Sequence, residues 1–483
     1  MASIKKIVLS GFFWSLSNQL SVTFIGLGIS GVLTRLISPA EFGIVGMVTL
    51  SIGFLNVIKD FGFGAALIQK KTVSDEEYST VFWINIIVGS ILTLVVFSLS
   101  PFVGEFFKES RVATVSQVLS FTFIINSIGI VWNNRLIKDV AFKQIFYRSL
   151  VSTVASGGIA ILFASLGYGV WALVIQTYST LIFNTYLNYV HVRWLPSLVM
   201  KKEYISSLFK FGLPLLADQS INYWVRNLDS LLVGRTLGKE TLAYYNKGYS
   251  LMLLPVRQLS STLTKVLFPS FSLIQDDKAQ VANIYLKISR VIAFVAFPLM
   301  LCLSALAEPL ILIVYGDNWR PVIPIFQVLS ILGMFQALGS LSGNIYLAFG
   351  RTKLMFQIGL VSKGLMILGI ILGLHLGGLM GMVYGYSICS GIAFMPELFF
   401  IGKLLGISLK DILLNFLPYL LLATVSLLLT YVLVNSVHIN SFVDFILKGA
   451  FFATTYLILN LIVKPKAFLD MFMLFKNLSK SSN

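Results

Sequence analysis

Apolar residues run along this chain in long blocks separated by short polar stretches. A block of about 20 apolar residues is what a helix needs to cross the hydrocarbon core of a bilayer. Read this way, the pattern predicts fourteen spans, at about 11–33, 42–59, 80–103, 113–134, 149–166, 169–190, 208–234, 241–268, 284–304, 321–348, 355–373, 378–402, 411–434 and 443–463. A transmembrane barrel would show short alternating segments instead. The span at 42–59 is short, and that at 241–268 is polar and holds Pro255. Proline inside a helix removes a backbone hydrogen bond and bends it.

The seventh span is the least ordinary. Its stretch FGLPLLADQSINYWVRNLDSLLVGR (211–235) is apolar at both ends but carries Asp218, Gln219, Asn222, Arg226 and Asp229 inside. At about 100° per residue, positions 218, 222, 226 and 229 fall within roughly an 80° arc of one helix. A charge at membrane depth costs about 2.5–3.5 kcal/mol on insertion scales, so such residues face a bundle interior or a wet cavity. Arg226 and Asp229 could also neutralise each other locally, at i and i+3.

Fourteen spans place both termini on one side, and the loop lysines and arginines choose the side. The terminal side holds Lys5, Lys6, Lys59, Lys70, Lys71, Arg135, Lys138, Lys143, Arg148, Arg193, Lys201, Lys202 and Lys210, with more beyond. The opposite side holds only Arg35, Lys108, Arg111, Arg235, Lys239 and Arg320. Both termini are therefore expected in the cytoplasm of a cell whose inner membrane holds the chain. The run from Gly11 to Leu33 is too long for a signal-peptide core and is expected to stay as an uncleaved first helix.

Composition agrees: 57% of residues are hydrophobic and 12% charged, against about 25% charged in soluble domains. The mean hydropathy is +0.87. The net charge of +16 would suggest nucleic acid in a soluble chain. Here cytoplasmic loops account for it, so no nucleic-acid partner is expected. Cys302 and Cys389 both lie in apolar spans, and His191, His375 and His438 have no metal-ligand spacing. No metal or other cofactor is expected.

The basic residues left inside or at the edges of spans are Arg226, Lys247, Arg257, Lys265, Lys363 and Lys448. Lys448 is near an outer end and is expected to snorkel. The others lie in the seventh, eighth and eleventh spans, whereas the first six spans hold no basic residue well inside. A cationic series spread over the membrane depth suits an anion that must cross. The alternative is that each pairs with Asp218, Asp229, Glu308 or Glu397.

The chain also repeats itself. LTRLISPAEFGIV (33–45) echoes VGRTLGKETLAYY (233–245) at an offset of 200, and LGYGVWALV (166–174) echoes LGGLMGMV (376–383). Each unit has six spans, an even number, so the copies share an orientation and should be related by a pseudo-two-fold along the membrane normal. The expected fold is all-α and polytopic: a lobe of six helices over 1–205, a second over 206–405, two further helices over 406–465 and an amphipathic cytoplasmic tail over 466–483. A central cavity between the lobes is expected.

Four segments carry a family resemblance: LTRLISPAEFG after the first span, KDFGFGAALIQKK (59–71) after the second, LGYGVWALV, and FGLPLLADQ at the start of the seventh. Over about residues 1–405 the chain resembles the polysaccharide-transporter branch of the multidrug/oligosaccharidyl-lipid/polysaccharide (MOP) exporter superfamily. It is similar to lipid-linked oligosaccharide flippases of the colanic-acid and teichuronic-acid type. The resemblance implies alternating-access movement of an undecaprenyl-pyrophosphate-linked repeat unit to the outer leaflet, with no enzymatic step. It also implies membrane lipid, a polysaccharide polymerase and a chain-length regulator as partners. Under it, Arg226, Lys247, Arg257, Lys265 and Lys363 are candidates for a cationic substrate cavity. Asn18, Gln19, Asn222, Tyr223, Tyr244 and Tyr245 are candidate glycan-facing residues, and Asp218 and Asp229 candidate carriers of a coupling proton or sodium ion. A cation-coupled drug antiporter of the same superfamily is the alternative, and it should have a cavity dominated by carboxylates. A membrane glycosyltransferase or polymerase should carry a large outer loop, and the sequence has none. No Walker loop, nucleophile elbow or HExxH motif occurs.

The orientation is checked by labelling. With Cys302 and Cys389 replaced, a cysteine at Lys201 should resist an impermeant maleimide added to intact cells and react after permeabilisation. Efficient labelling from outside would invert the topology.

Overall fold

The computed structural model describes residues 2–59, 64, 67–68, 70, 72–201, 220, 222–224, 226–274, 276–434 and 440–468. Among them every regular element is helical. They are α1 (Ala2–Leu36), α2 (Pro39–Lys59), α3 (Asp75–Phe107), α4 (Ser110–Ser120), α5 (Thr122–Lys138), α6 (Phe142–Ser165) and α7 (Val170–Val192). Then come α8 (226–237), α9 (Lys239–Leu273), α10 (Lys278–Ala305), α11 (Ala307–Val314), α12 (Val322–Ala348), α13 (Thr352–Leu405), α14 (Leu409–Val434) and α15 (Ser441–Val463).

Helices lie at the predicted spans wherever the residues are described, although those at the sixth and eighth, α7 and α9, are not among the ones apolar enough to cross a membrane. The fourth is interrupted at Phe121 and appears as α4 and α5. The eleventh and twelfth are the two halves of α13, which is 54 residues long and breaks at Gly377 and Gly378. α11 is an eight-residue helix between spans. Part of the seventh span, the tail beyond 468 and much of 60–71 lie outside the described residues. Among the described residues, ten helices are long and apolar enough to cross a membrane.

The chain forms two compact units, one of residues 1–243 with 314–318 and one of 244–313 with 319–483. In the first, α6 packs against α1 and α7, α7 against α5, and α3 against α2, α4 and α5. Lipid tails are as apolar as leucine, so small residues that let backbones approach hold such contacts together. A Cβ on Gly157 would come within 2.2 Å of Ile29, and one on Gly89 within 2.2 Å of Ser127. In the second unit α10 is the hub, touching α12, α13, α14 and α15. The halves of α13 close on each other where Gly373 meets Gly381, with 2.2 Å from a Cβ to the facing carbonyl.

Both sequence echoes recur as backbone geometry. Gly169, ahead of α7, has φ 53 and ψ −122. Gly378, inside α13, has φ 57 and ψ −137. This conformation is open to glycine and closed to residues with a Cβ. In the other echo, Ser38 and Gly238 each break the helix, and the N–H groups of Phe42 and Leu242 donate to their carbonyls at 3.4 and 3.1 Å. The two turns also meet: a Cβ on Gly43 would lie 1.9 Å from the Lys239 carbonyl oxygen.

The turn glycines should therefore tolerate no side chain. Gly378→Ala meets no atom within 4 Å, so its cost is conformational, about 1–3 kcal/mol. Gly158→Ala, in an equally open helical site, should be neutral or stabilising by up to ~1 kcal/mol. Thermal unfolding in detergent compares them; equal melting points would refute the strained-turn assignment.

Candidate functional site

In the first unit, the polar face of α8 is uneven. Asp229 is 5% exposed, and its Oδ1 accepts the Ser230 N–H at 2.7 Å. Arg226 is exposed and forms no ion pair among the described residues. Asn222 and Tyr223 are half-buried. The Tyr223 hydroxyl donates to the Leu50 carbonyl at 2.7 Å, and its ring sits 6.1 Å from that of Phe54. Tyr223 thereby docks the seventh span onto α2, which limits what it can offer a glycan. On α1, Asn18 and Gln19 are half-buried, and Asn18 Oδ1 is buried without a hydrogen bond. Asp218 lies outside the described residues, as does the side chain of Lys265.

In the second unit, Lys247 holds its ammonium 5.6 Å from the centroid of the Trp319 ring, a cation–π distance. Trp319 is fully buried and also meets the Tyr244 ring edge-on at 5.8 Å. Tyr244 is half-buried, Arg257 exposed on α9 and Lys363 half-buried on α13. Among the described contacts none joins Lys247, Arg257 and Lys363 to one another. Tyr245 is a correction. It is fully buried and stacks on Tyr249 at 5.8 Å, so it offers no surface to a glycan. Lys448 is a second correction: only 7% exposed, it pairs with Asp444 at 2.9 Å instead of snorkelling.

The structure adds residues that the sequence hid. Arg148 falls between the predicted fourth and fifth spans, but α6 starts at Phe142 and carries it inward. Its Nη1 donates to Asn133 Oδ1 and Asn188 Oδ1, both at 2.7 Å, pinning α5, α6 and α7 together. No carboxylate opposes it among the described residues, and its Nε is buried without a partner. Where spans end, Lys239 Nζ meets Glu109 Oε2 at 2.5 Å, and Arg111 meets Glu41 at 3.4 Å. Arg35 donates to the Val314 carbonyl at 3.0 Å. Arg35, Arg111 and Lys239 belong to the small basic set opposite the termini, and each has an oxygen partner here.

Residues 32–324 match the family model described as "Polysaccharide biosynthesis protein". The chain is 27% identical over 448 residues to the teichuronic acid biosynthesis protein TuaB of Bacillus subtilis, covering 91% of this chain and 92% of the relative. It is 27% identical over 430 residues to the lipopolysaccharide biosynthesis protein WzxC of Escherichia coli, covering 87% and 86%. Among solved structures, the lipid II flippase MurJ in an inward closed conformation superposes with a TM-score of 0.75 at 16% identity, over 94% of this chain and 98% of that one. An inward-facing multidrug resistance transporter of the MOP superfamily superposes with a TM-score of 0.58 at 16% identity, over 79% and 95%. Both likenesses are of fold.

The Lys239 ammonium, bonded to Glu109, holds that carboxyl below the ordinary value of 4.5. A depressed carboxyl contributes stability that is complete above its unfolded value and is lost as pH falls through the folded one. Acidification below 4.5 should therefore loosen this corner. Glu109→Gln should lower the neutral-pH melting point by a few degrees and flatten its acid dependence. The same acid slope in both proteins would rule the pair out as its source.

Proposed function

The chain belongs to the polysaccharide biosynthesis protein family, and on that footing we propose that it moves undecaprenyl-pyrophosphate-linked oligosaccharide repeat units from the cytoplasmic to the outer leaflet. It is a multi-pass membrane transporter and not an enzyme, with a fold shared by MOP superfamily transporters. The observation that carries the reading is the family match itself, which runs through both copies of the turn at Ser38 and Gly238. The proposed route is alternating access in a bacterial inner membrane, with both termini cytoplasmic and a polymerase and chain-length regulator as partners.

The residues support an anionic load. Arg226, Lys247, Arg257, Lys265 and Lys363 put positive charge in the seventh, eighth and eleventh spans, and a pyrophosphate takes charge-assisted hydrogen bonds from such groups. Arg257 has no acid at i±3 or i±4 on its own helix. Its insertion cost must be met by water, another helix or the substrate. A proton or sodium gradient is the proposed energy source, with Asp218 and Asp229 as its first candidate acids.

Charge should matter more than size at these positions. Arg226→Ala, Arg257→Ala and Lys363→Ala should each abolish surface polysaccharide while the protein stays in the membrane. A lost charged hydrogen bond is worth about 1.5–3 kcal/mol, or roughly 10–100-fold in binding. Arg257→Lys should keep part of the activity, because only the two-pronged geometry is lost. Full export by the Arg257→Ala, Lys363→Ala double variant at normal expression would make these cations structural and favour the antiporter reading.

A further inference from the structure

Glu397 is the acid in this chain that the transport reading leaves without a task. It lies on the second half of α13, inside the predicted twelfth span (378–402) and five residues before that span's cytoplasmic end. At about 1.5 Å per residue this is ~8 Å from the end of the span. No lysine or arginine pairs with it among the described residues. Lys363, on the first half of the same helix, forms no ion pair with it, and Arg290 of α10 donates instead to Asn415 of α14 at 2.9 Å. Lys410 and Asp411, at the start of α14, are exposed.

What surrounds the carboxylate is polar, neutral and incompletely bonded. From α12, Tyr346 donates its hydroxyl to the Glu397 backbone carbonyl at 3.2 Å, which fixes this turn of α13 and leaves the side-chain oxygens open. Ser342, on the same stretch of α12, has its Oγ buried without a hydrogen-bond partner. Gly339 brings α12 close to the carboxylate: a Cβ there would lie in van der Waals contact with Glu397 Oε2, at 3.8 Å. α10 packs against α13 and carries Tyr285, which is 2% exposed. Further along the same face of α13, Ser390 Oγ is also buried and unpartnered.

A carboxylate within a membrane span, with no cation opposite among the described residues, draws a counter-charge from solution. A sodium ion asks for a shell of several oxygens, and beyond the carboxylate these helices offer one or two hydroxyls. A proton needs only the carboxylate. We propose that Glu397, between α10, α12 and α13, is a proton-binding site that couples transport to the proton gradient. The carboxylate takes its proton from water on one side of the membrane, becomes a donor to the Ser342 oxygen, and returns the proton to water on the other side. The coupling half of this inference rests on the transport reading, whereas the binding half does not.

Two readouts on the full chain in phosphatidylethanolamine–phosphatidylglycerol vesicles separate the two. Infrared difference spectra across a pH titration should show the C=O stretch of a protonated carboxyl. It should be absent from Glu397→Gln, present but displaced in Glu397→Asp, and shifted in midpoint by Ser342→Ala. Translocation of undecaprenyl-pyrophosphate-linked oligosaccharide extracted from the host is then measured with and without an imposed pH gradient. The ratio of the two rates should fall to unity in Glu397→Gln and recover in Glu397→Asp. A titrating band that persists unchanged in Glu397→Gln, or a gradient ratio unchanged from wild type, overturns the proposal. Failure of the wild type to move the lipid at all would instead remove the transport reading, and the infrared band would still decide whether Glu397 binds the proton.

Discussion

Inside a bilayer a backbone N–H has no water to bond, so each must find a carbonyl in its own helix or a close neighbour. That constraint shapes every described element of this protein. It admits helices and no lipid-exposed irregular backbone, and it compresses connections to a few residues. The break between α1 and α2 is two residues long, and that between α8 and α9 is the single Gly238. At the halfway point of α13 the chain reverses within two glycines, Gly377 and Gly378. At Gly238 and Gly378 turns this short use positive backbone angles that favour glycine.

The same solvent explains why the spans were legible in the sequence and the side-chain chemistry less so. A span is announced by its length and composition, which is why the eleventh and twelfth are separable on either side of the Gly377–Gly378 break in α13. Arg148 was misplaced because its segment is polar at the start: FKQIFYRS does not look like hydrocarbon, yet it is the first two turns of α6. Tyr245 was misjudged for a related reason. A tyrosine in a polar span suggests a wet surface, but whether its ring meets water or Tyr249 is settled by packing. The Trp319–Lys247 contact joins residues 72 apart, and no local pattern signals such a pair.

Charge in this protein is handled in two ways that burial separates. At loop ends, lysines and arginines meet glutamates or backbone carbonyls in pairs with one side open to water, such as Lys70 with Glu77 and Arg135 with Asp75. Exposed pairs of this kind are individually weak, about 0–1 kcal/mol. Within spans, Arg148 is held by two amide oxygens, and Lys247 lies against an indole face. The amide oxygens orient the Arg148 guanidinium without cancelling its charge.

The glycine torsions shared by Gly169 and Gly378 bear on how the chain arose. The residues around them share only a short apolar echo, and one copy carries an extra residue before its glycine. Most positions on a lipid-facing helix can exchange one apolar side chain for another at little cost, so sequence memory fades quickly there. A backbone angle that excludes every other amino acid cannot drift in that way. In a chain descended from a duplicated half, the tight corners therefore keep the record of the duplication after the helices have lost it, and torsion angles are the better ruler of kinship between the halves.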